Sequence, residues 1–530
     1  MLFTSYGFIA FVAVLLVAYY LFPKKFQWML LLAASYFFYA FSGIENFAFI
    51  IATTLSCFFV AKIMEKKKER EDGYVELHKA DMDKESRKAY RAKEKKKRRV
   101  ILVLGLVFNF GILAVLKYTS FALRNVNSII SLFNSEATIT VPSLLLPLGL
   151  SFFVFQSTAY LIDVYRGKTY AEKNVAKLAL FVSFFPQLAQ GPISRHSDLA
   201  NELYTPHRFD GKKLKFGLQR MLWGYFKKLV IADRVLVAVN ALKENTDTYT
   251  GAYVFLLIIL YSIEIYADFT GGIDITIGLA EAMGIKVKEN FNHPFSSVST
   301  KEYWNRWHIT MGSWFTDYIF NPLSVSKPML KLSKVTRAKL GNGLGKRISV
   351  YLATIVTWFL TGLWHGAAWN FIVWGLLNCA VILVSREFEP LYKRFRTKFP
   401  RLVQSYPYHC FGATRTFLLM GLIRSLDCYA NVGVTFKLWG SMFTDFNWGT
   451  MLGGDILKLG LELKDYVIIA VAVCIVAIVS KISQKRDVRE WLCGKTTLSW
   501  ALAGALLIIV IMFGAYGIGY DASQFIYTQF

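Results

Sequence analysis

Charged residues are scarce in this chain of 530 residues. Asp, Glu, Lys and Arg together make up 18% of it, whereas 55% of the residues are hydrophobic and the mean hydropathy is +0.38. The surface of a soluble protein carries more charge than this, and a disordered or collagen-like chain carries far fewer apolar residues. The composition therefore excludes those classes. It predicts an all-α polytopic membrane protein, because helices satisfy their own backbone hydrogen bonds in lipid.

Cysteine is also rare in the sequence. The chain has 6 cysteines without CxxC spacing, so neither a disulfide framework nor a cysteine metal site is predicted. No Cys, His or carboxylate accompanies His308 or His365 at i, i+3 or i+4 spacing, and we therefore predict no metal. The G-x-S-x-G motif, which carries the nucleophile of serine hydrolases, is also absent. Its absence argues against a covalent acyl-enzyme.

The charges that are present are mostly positive. The chain has 61 Lys plus Arg against 36 Asp plus Glu, which gives a formal net charge of +25. In a soluble protein this excess would suggest nucleic acid as a partner, but here the basic residues follow apolar runs, as they do on the cytoplasmic side of membrane proteins. We therefore predict contact with membrane lipid, no nucleic-acid partner, and a multi-pass position in the cytoplasmic membrane.

Many apolar runs approach the length of a membrane-spanning helix, which is about 20 residues. Several runs are short or interrupted by Gly, and irregular backbone at membrane depth is tolerated only beside protein or a water-filled cavity. We therefore predict about 11–13 helices at membrane depth, several of them tilted or re-entrant, around a central tunnel. The runs lie at 6–22, 26–42, 45–61, 100–116, 144–164, 175–191, 216–235, 253–267, 268–284, 348–364 and 366–384, with the C-terminal membrane helices within 413–530.

Two strongly charged segments are predicted to face the cytoplasm. Residues 62–99 contain 16 Lys or Arg and 9 Asp or Glu, and we expect them to form a charged cytoplasmic loop between two spans. Residues 327–347 contain seven basic residues and no acidic residue. Membrane topology and contact with anionic lipid are sufficient reasons for such clusters.

Only seven histidines occur, and His365 is the one placed deepest in apolar sequence. It lies between the runs 348–364 and 366–384, and ionisable groups at such depth are rare, expensive and mostly functional. It follows Arg347 by 18 residues, which as helix is about 27 Å and would place it far from the cytoplasmic end. An imidazole can take a proton from a hydroxyl and return it to a leaving group. The position therefore favours acyl transfer with His365 as general base.

His308 lies in a stretch rich in aromatic residues, from Tyr303 to Tyr318. Such stretches are typical of a membrane interface, where Arg306 and His308 would simply be solvated at the level of the headgroups. The alternative is that Arg306, His308 and Asp317 line a polar path. The residues by themselves leave both interpretations open.

Gln156, Glu264 and Asp268 are further polar residues within apolar runs. Each could be a structural hydrogen-bond partner. In a proton-coupled secondary transporter, Glu264, Asp268 and the histidines would instead form a proton relay. A transporter of a lipid-linked saccharide or small acid is therefore an alternative to an enzyme, and so is a non-enzymatic scaffold of a polysaccharide export complex.

Seven short motifs follow one another along the chain. They are PLGLSFFVFQ at 147–156, YLIDVYRG at 160–167, FPQLAQGPI at 185–193, ENFNHPF at 289–295, WNRWH at 304–308, GLWHGAAWNF at 362–371 and FIYTQF at 525–530. In this order they resemble the membrane-bound O-acyltransferase family, and within it the bacterial branch of alginate O-acetylation. Each motif alone is modest evidence, but the set covers nearly the whole chain.

The resemblance implies a single domain over 1–530 with a core at 147–371, in which His365 is the catalytic histidine and His308 a second active-site residue. It implies transfer of an acetyl group from a cytoplasmic thioester donor, acetyl-CoA, for O-acetylation of an exported polysaccharide, with no permanently bound cofactor. It also implies two partners: a separate extracellular protein that receives or transfers the acyl group, and polysaccharide export machinery. The residues predicted to contact substrate are Trp304, Asn305, Arg306, Asp317, Trp364, Asn370, Gln156 and Asp268. A neighbouring branch, D-alanyl transfer to teichoic acid, shares the 304–308 motif and remains an alternative.

Overall fold

The structure is a computed structural model that describes residues 1–133, 137–188 and 190–516. Within these residues the regular elements are all helical and no strand occurs, which confirms the all-α prediction. The motif predicted at 525–530 lies outside the described residues, as does residue 189 of the motif at 185–193.

Seven helices of the described chain are long and apolar enough to cross a membrane, and Tyr6–Leu21 is a shorter apolar helix. The seven are Ile44–Leu77, Lys84–Ile130, Ala252–Ala282, Lys327–His365, Trp369–Glu387, Leu463–Ser483 and Thr496–Phe513. They confirm the prediction of a multi-pass membrane protein. The other predicted runs form shorter or less apolar helices, so the total number at membrane depth stays a prediction.

The chain separates into two compact units. Unit 1 comprises Met1–Gly217 and Leu279–Lys288, and unit 2 comprises Leu218–Gly278 and the described residues from Glu289 onward. The single domain over 1–530 is therefore still a prediction. The helices of unit 1 are α1 (Tyr6–Leu21), α2 (Gln27–Ala40), α3 (Phe47–Leu77), α4 (Lys84–Ile130), α5 (Leu150–Arg166), α6 (Val175–Ser183), α7 (Phe185–Leu188), α8 (His196–Tyr204) and the start of α9 (Gly211–Tyr225).

Helices α3 and α4 of unit 1 form a long antiparallel hairpin that includes the charged segment 62–99. This segment was predicted to be a loop, and the structure corrects that prediction because most of it is helical. Lys, Arg and Glu are good helix formers, and the Asp83 side chain caps α4 by accepting a hydrogen bond from the Ser86 backbone N–H (2.9 Å). A buried ion pair, Arg98 Nη2 to Glu71 Oε2 at 2.9 Å, joins the two helices. That the segment faces the cytoplasm stays a prediction.

Unit 2 contains the remaining helices. They are the end of α9, α10 (Asp233–Glu244), α11 (Ala252–Ala282, whose last residues belong to unit 1), α12 (Thr300–Arg306), α13 (Ile309–Phe315), α14 (Asn321–Ser324), α15 (Lys327–His365), α16 (Trp369–Glu387), α17 (Glu389–Lys398), α18 (Pro400–Gln404), α19 (Tyr406–Arg424), α20 (Val432–Thr444), α21 (Trp448–Leu452), α22 (Leu463–Ser483), α23 (Val488–Cys493) and α24 (Thr496–Phe513). A π-helical turn, Phe226–Ala232, connects α9 to α10.

Helix α11 replaces two spans that were predicted separately at 253–267 and 268–284. Gly271 does not interrupt the helix, although glycine lowers helix propensity. A Cβ on Gly271 would lie 2.9 Å from the carbonyl oxygen of Gly224. The glycine therefore allows the backbones of α9 and α11 to approach closely, and it does not mark a helix end.

Helices α15 and α16 form a second hairpin, in unit 2. Helix α15 bends at Gly341, whose φ of +74° is in the left-handed region, and it is unbroken from there to His365. The predicted rise of about 27 Å between Arg347 and His365 therefore holds. The three residues after His365 complete the turn, and α16 begins at Trp369. The predicted catalytic histidine thus lies where the hairpin reverses direction.

Candidate active site

His308 lies in unit 2 between α12 and α13, outside the seven spans. Its backbone φ of +48° is in the left-handed region, which is uncommon for a residue other than glycine. Hydrogen bonds from the chain around it hold this conformation: the Ile309 N–H donates to the carbonyl oxygen of Asn290 (2.9 Å), and the His308 Nδ1 atom lies 3.2 Å from Asn290 Oδ1. The backbone geometry therefore turns the imidazole into the protein interior.

Aromatic rings enclose the His308 imidazole, which is fully buried. The edge-on ring of Phe269 has its centroid 4.9 Å from that of His308, and the ring of Trp364 lies at 6.0 Å. Burial, with a smaller effect from the charge of Arg424, lowers the pKa of His308 to about 3. A charged imidazolium is disfavoured in such surroundings, so His308 is neutral at physiological pH.

His365 is the last residue of α15 and is 8% exposed. Its ring centroid lies 5.0 Å from that of Trp364 and 4.6 Å from that of Trp374, both in edge-on arrangements. Five residues further along the chain, Asn370 donates from Nδ2 to the carbonyl oxygen of Leu426 (3.1 Å), which fixes the start of α16. The two tryptophans restrict where the imidazole can move.

The two predicted catalytic histidines share an aromatic neighbour. Trp364 packs against both His308 and His365, and Trp374 packs against both His365 and Trp304, with the ring centroids of Trp304 and Trp374 5.7 Å apart. We refer to these five residues as the histidine cluster. The structure therefore brings together two of the predicted catalytic residues and two of the predicted substrate contacts.

Arg306 lines a cavity of about 930 Å³ in unit 2. It pairs with Glu302 (2.7 Å) and donates to the Ser296 hydroxyl oxygen (2.6 Å). The lining also includes His293 and Lys481, but it includes neither His308 nor His365. A tunnel that reaches the histidines is therefore still a prediction.

Four further residues were predicted to contact substrate, and they lie on different segments of the chain. Asn305 is exposed, and Asp317 is half-buried on a π-helical turn after α13. Gln156 belongs to unit 1 and donates to the carbonyl oxygen of Phe181 (2.8 Å). Asp268 precedes Phe269 on α11 and is 1% exposed.

Asp268 belongs to a buried ionic group that the sequence did not predict. Lys228, on the π-helical turn between α9 and α10, lies 2.6 Å from Asp268 and 2.7 Å from Asp233. Each of these side chains is at most 2% exposed. The available signal was a pair of lysines inside the apolar run 216–235. Those lysines require buried partners, because an isolated charge in an apolar interior is too expensive to bury.

The fold and the site define a class: a polytopic helical membrane protein with a pair of histidines in a buried aromatic cluster. The profile of MBOAT, the membrane-bound O-acyltransferase family, matches residues 172–338. The probable alginate O-acetylase AlgI of Azotobacter vinelandii is 33% identical over 388 residues, which are 73% of this chain and 69% of that protein.

Two other relatives differ in the activity that their names state. The peptidoglycan O-acetyltransferase of Helicobacter pylori is 29% identical over 72% of this chain and 68% of its own length. The teichoic acid D-alanyltransferase of Bacillus subtilis is 26% identical over 50% of this chain and 67% of its own length. The chain belongs to the membrane-bound O-acyltransferase family. It is an O-acyltransferase of the cell membrane that takes its acyl group from a donor substrate.

Proposed function

We propose that this protein takes an acetyl group from a cytoplasmic thioester, acetyl-CoA, and passes it across the membrane for O-acetylation of an exported or cell-surface polysaccharide. The names of the first two relatives support an acetyl group and a carbohydrate polymer as acceptor. The observation that carries the proposal is the packing of His308 and His365 against one indole, Trp364.

In the proposed reaction His365 is the general base. Its imidazole takes the proton from the accepting hydroxyl, the oxygen attacks the thioester carbonyl, and the new C–O bond forms. The C–S bond then breaks, and the leaving thiolate takes the proton back from His365. His308 acts beside the same acyl group, either orienting a reactant or polarising the carbonyl. The surrounding tryptophans limit the access of water, which would otherwise hydrolyse the thioester.

The test is a transfer assay with purified protein in nanodiscs, labelled acetyl-CoA and candidate polysaccharide acceptors. His365→Ala should lower acceptor-dependent thioester release about 10²- to 10⁴-fold, the range of general acid–base catalysis. Size-exclusion chromatography should show normal assembly of this variant. Unchanged transfer by a correctly assembled His365→Ala protein would overturn the role of His365. His78→Ala, which changes a histidine directly after the end of α3 in unit 1, is the matched control.

The donor is tested in the same assay. Acetyl-CoA, an acetyl-charged carrier protein and a D-alanyl-charged carrier protein are supplied separately. Turnover with acetyl-CoA supports the proposal. Turnover only with the D-alanyl carrier would favour the alternative suggested by the Bacillus subtilis relative, D-alanyl transfer to teichoic acid. Transport of a saccharide without thioester release would instead favour a proton-coupled transporter.

We propose two partners, a separate extracellular protein that receives or transfers the acyl group and the polysaccharide export machinery. The acetyl group has to reach a polymer outside the membrane, and an exported protein would complete its delivery. Single deletions of neighbouring genes should therefore leave thioester release intact in membranes but abolish acetylation of the polymer. If no deletion affects acetylation of the polymer, the protein needs no such partner.

A further inference from the structure

The Asn290 amide oxygen is a shared acceptor beside His308. It accepts hydrogen bonds from the Thr310 backbone N–H (3.0 Å) and the Thr310 hydroxyl (2.9 Å), and the His308 Nδ1 atom lies 3.2 Å away. A backbone N–H can only donate. The atom that faces it must therefore be the oxygen of the amide and not its nitrogen, so the network fixes the orientation of the Asn290 side chain.

This orientation determines which nitrogen of the His308 ring carries the proton. A carbonyl oxygen offers only lone pairs, so a hydrogen bond between it and Nδ1 requires a proton on Nδ1. In a neutral imidazole the second nitrogen, Nε2, then carries a lone pair. His308 is neutral in its buried position, as described above. Its Nε2 atom can therefore accept a hydrogen bond or a proton but cannot donate one.

In this orientation the amide nitrogen of Asn290 itself is left without a hydrogen bond. Asn290 is fully buried, and its Nδ2 atom has no hydrogen-bond partner among the described residues. A buried donor without a partner is unfavourable. Rotating the amide would not relieve this, because its N–H groups would then face the Thr310 N–H. The network keeps an acceptor in front of His308 although a donor is left unsatisfied.

We propose that Asn290 is a positioning residue that holds neutral His308 in the Nδ1–H tautomer. The role of that tautomer in transfer rests on the proposed function, whereas the tautomer itself does not. Of the two roles open to His308, the geometry supports orienting a reactant: Nε2 accepts a hydrogen bond from the incoming hydroxyl or from another proton donor at the acyl group. Polarising the thioester carbonyl would need a donor at Nε2, which this tautomer lacks.

Nitrogen-15 NMR of ¹⁵N-histidine-labelled protein in lipid tests the tautomer directly, and loss of one signal set in His308→Gln assigns it. The wild type should show a protonated Nδ1 and an unprotonated Nε2. Asn290→Ala should shift His308 toward the other tautomer or a mixture of both. Thr310→Val is the matched control, because it removes one hydrogen bond to Asn290 but not the bond from His308. A wild-type ring protonated at Nε2, or an unchanged tautomer in Asn290→Ala, would overturn the proposal.

The pH profile of transfer tests the consequence for catalysis. Asn290→Asp keeps an acceptor at Nδ1 but adds a negative charge, which favours the imidazolium. The acidic limb of kcat/KM should therefore move to higher pH. Asn290→Ala should lower kcat about 10²-fold or more with little change in KM, as expected when a ring takes the wrong tautomer. Normal kcat in a correctly assembled Asn290→Ala protein would overturn the positioning role. Full activity in His308→Gln would instead refute the place of His308 in the proposed function, while the NMR result would still stand.

Discussion

Gly375 of α16 packs directly on Gly362 of α15: a Cβ on Gly375 would lie 3.1 Å from the backbone nitrogen and Cα of Gly362. The two helices therefore meet through their backbones, one turn before His365. Such contacts between small residues are how helices approach closely in membranes. The position of the proposed general base depends on this contact, because the hairpin turn that carries His365 follows immediately.

Gly362→Ala should separate the two helices and lower transfer. The new Cβ would lie 2.3 Å from the carbonyl oxygen of Phe371, a backbone atom that cannot move alone. We expect a destabilisation of about 1–3 kcal/mol, typical of overpacking, together with reduced kcat. Thermal unfolding in nanodiscs and the transfer assay measure the two effects. Gly343→Ala on the same helix is the control, since its Cβ would meet nothing within 4 Å. Equal behaviour of the two variants would contradict the role of the glycine contact.

Trp364→Ala should uncouple thioester breakdown from transfer. The indole packs against both His308 and His365, and its removal opens space for water beside the acyl group. Acetate released per acetyl group transferred should therefore rise several-fold, whereas Trp364→Phe, which keeps a ring, should stay closer to the wild type. The measurement is the ratio of the two products from labelled acetyl-CoA. A ratio that Trp364→Ala leaves unchanged would show that this indole does not exclude water.

Lys228→Met should destabilise unit 2 strongly. The substitution removes the buried lysine that contacts both Asp233 and Asp268, and breaking a buried ion pair in this way costs about 3–5 kcal/mol. Thermal unfolding measures the loss of stability. The double variant Lys228→Met with Asp268→Asn should recover part of that loss. Lys458→Met is the control, because its ion pair with Asp455 has a lysine that is 70% exposed and should contribute little. A Lys228→Met protein as stable as the wild type would contradict the predicted contribution of this ion pair.

His196 should make unit 1 sensitive to acid. Burial lowers the pKa of His196 to about 4, whereas the unfolded chain has the ordinary value of 6.5. The unfolded state then binds more protons, so stability falls as the pH drops from about 6.5 toward 4. His196→Gln should reduce the loss between pH 6.5 and 4.5 by roughly 2 kcal/mol. His409→Gln is the control for removing an exposed imidazole. If wild type and His196→Gln lose stability equally in acid, the assignment is wrong.

The sequence was sufficient to predict the helical membrane fold and to select the two histidines that the structure brings together. Hydropathy and the cost of burying an imidazole are properties of single segments and can be read from them. The sequence was not sufficient to predict the contact between Asn290 and His308. The two residues are 18 positions apart, and they meet because the backbone at His308 adopts a left-handed conformation. The sequence also predicted two spans where α11 is one helix, since close packing of Gly271 cannot be distinguished in sequence from a helix break.

The helical hairpin of α3 and α4 makes its connecting turn at 78–83 a practical attachment point. Each helix of the hairpin extends 16 residues, about 24 Å, beyond its apolar span. These residues run from Lys62 to the end of α3 and from the start of α4 to Arg99. The buried ion pair between Arg98 and Glu71 joins the two helices within this stretch. A rigid protein inserted at the turn would stand clear of the lipid. It could serve as a fiducial for particle alignment in electron microscopy of this small membrane enzyme.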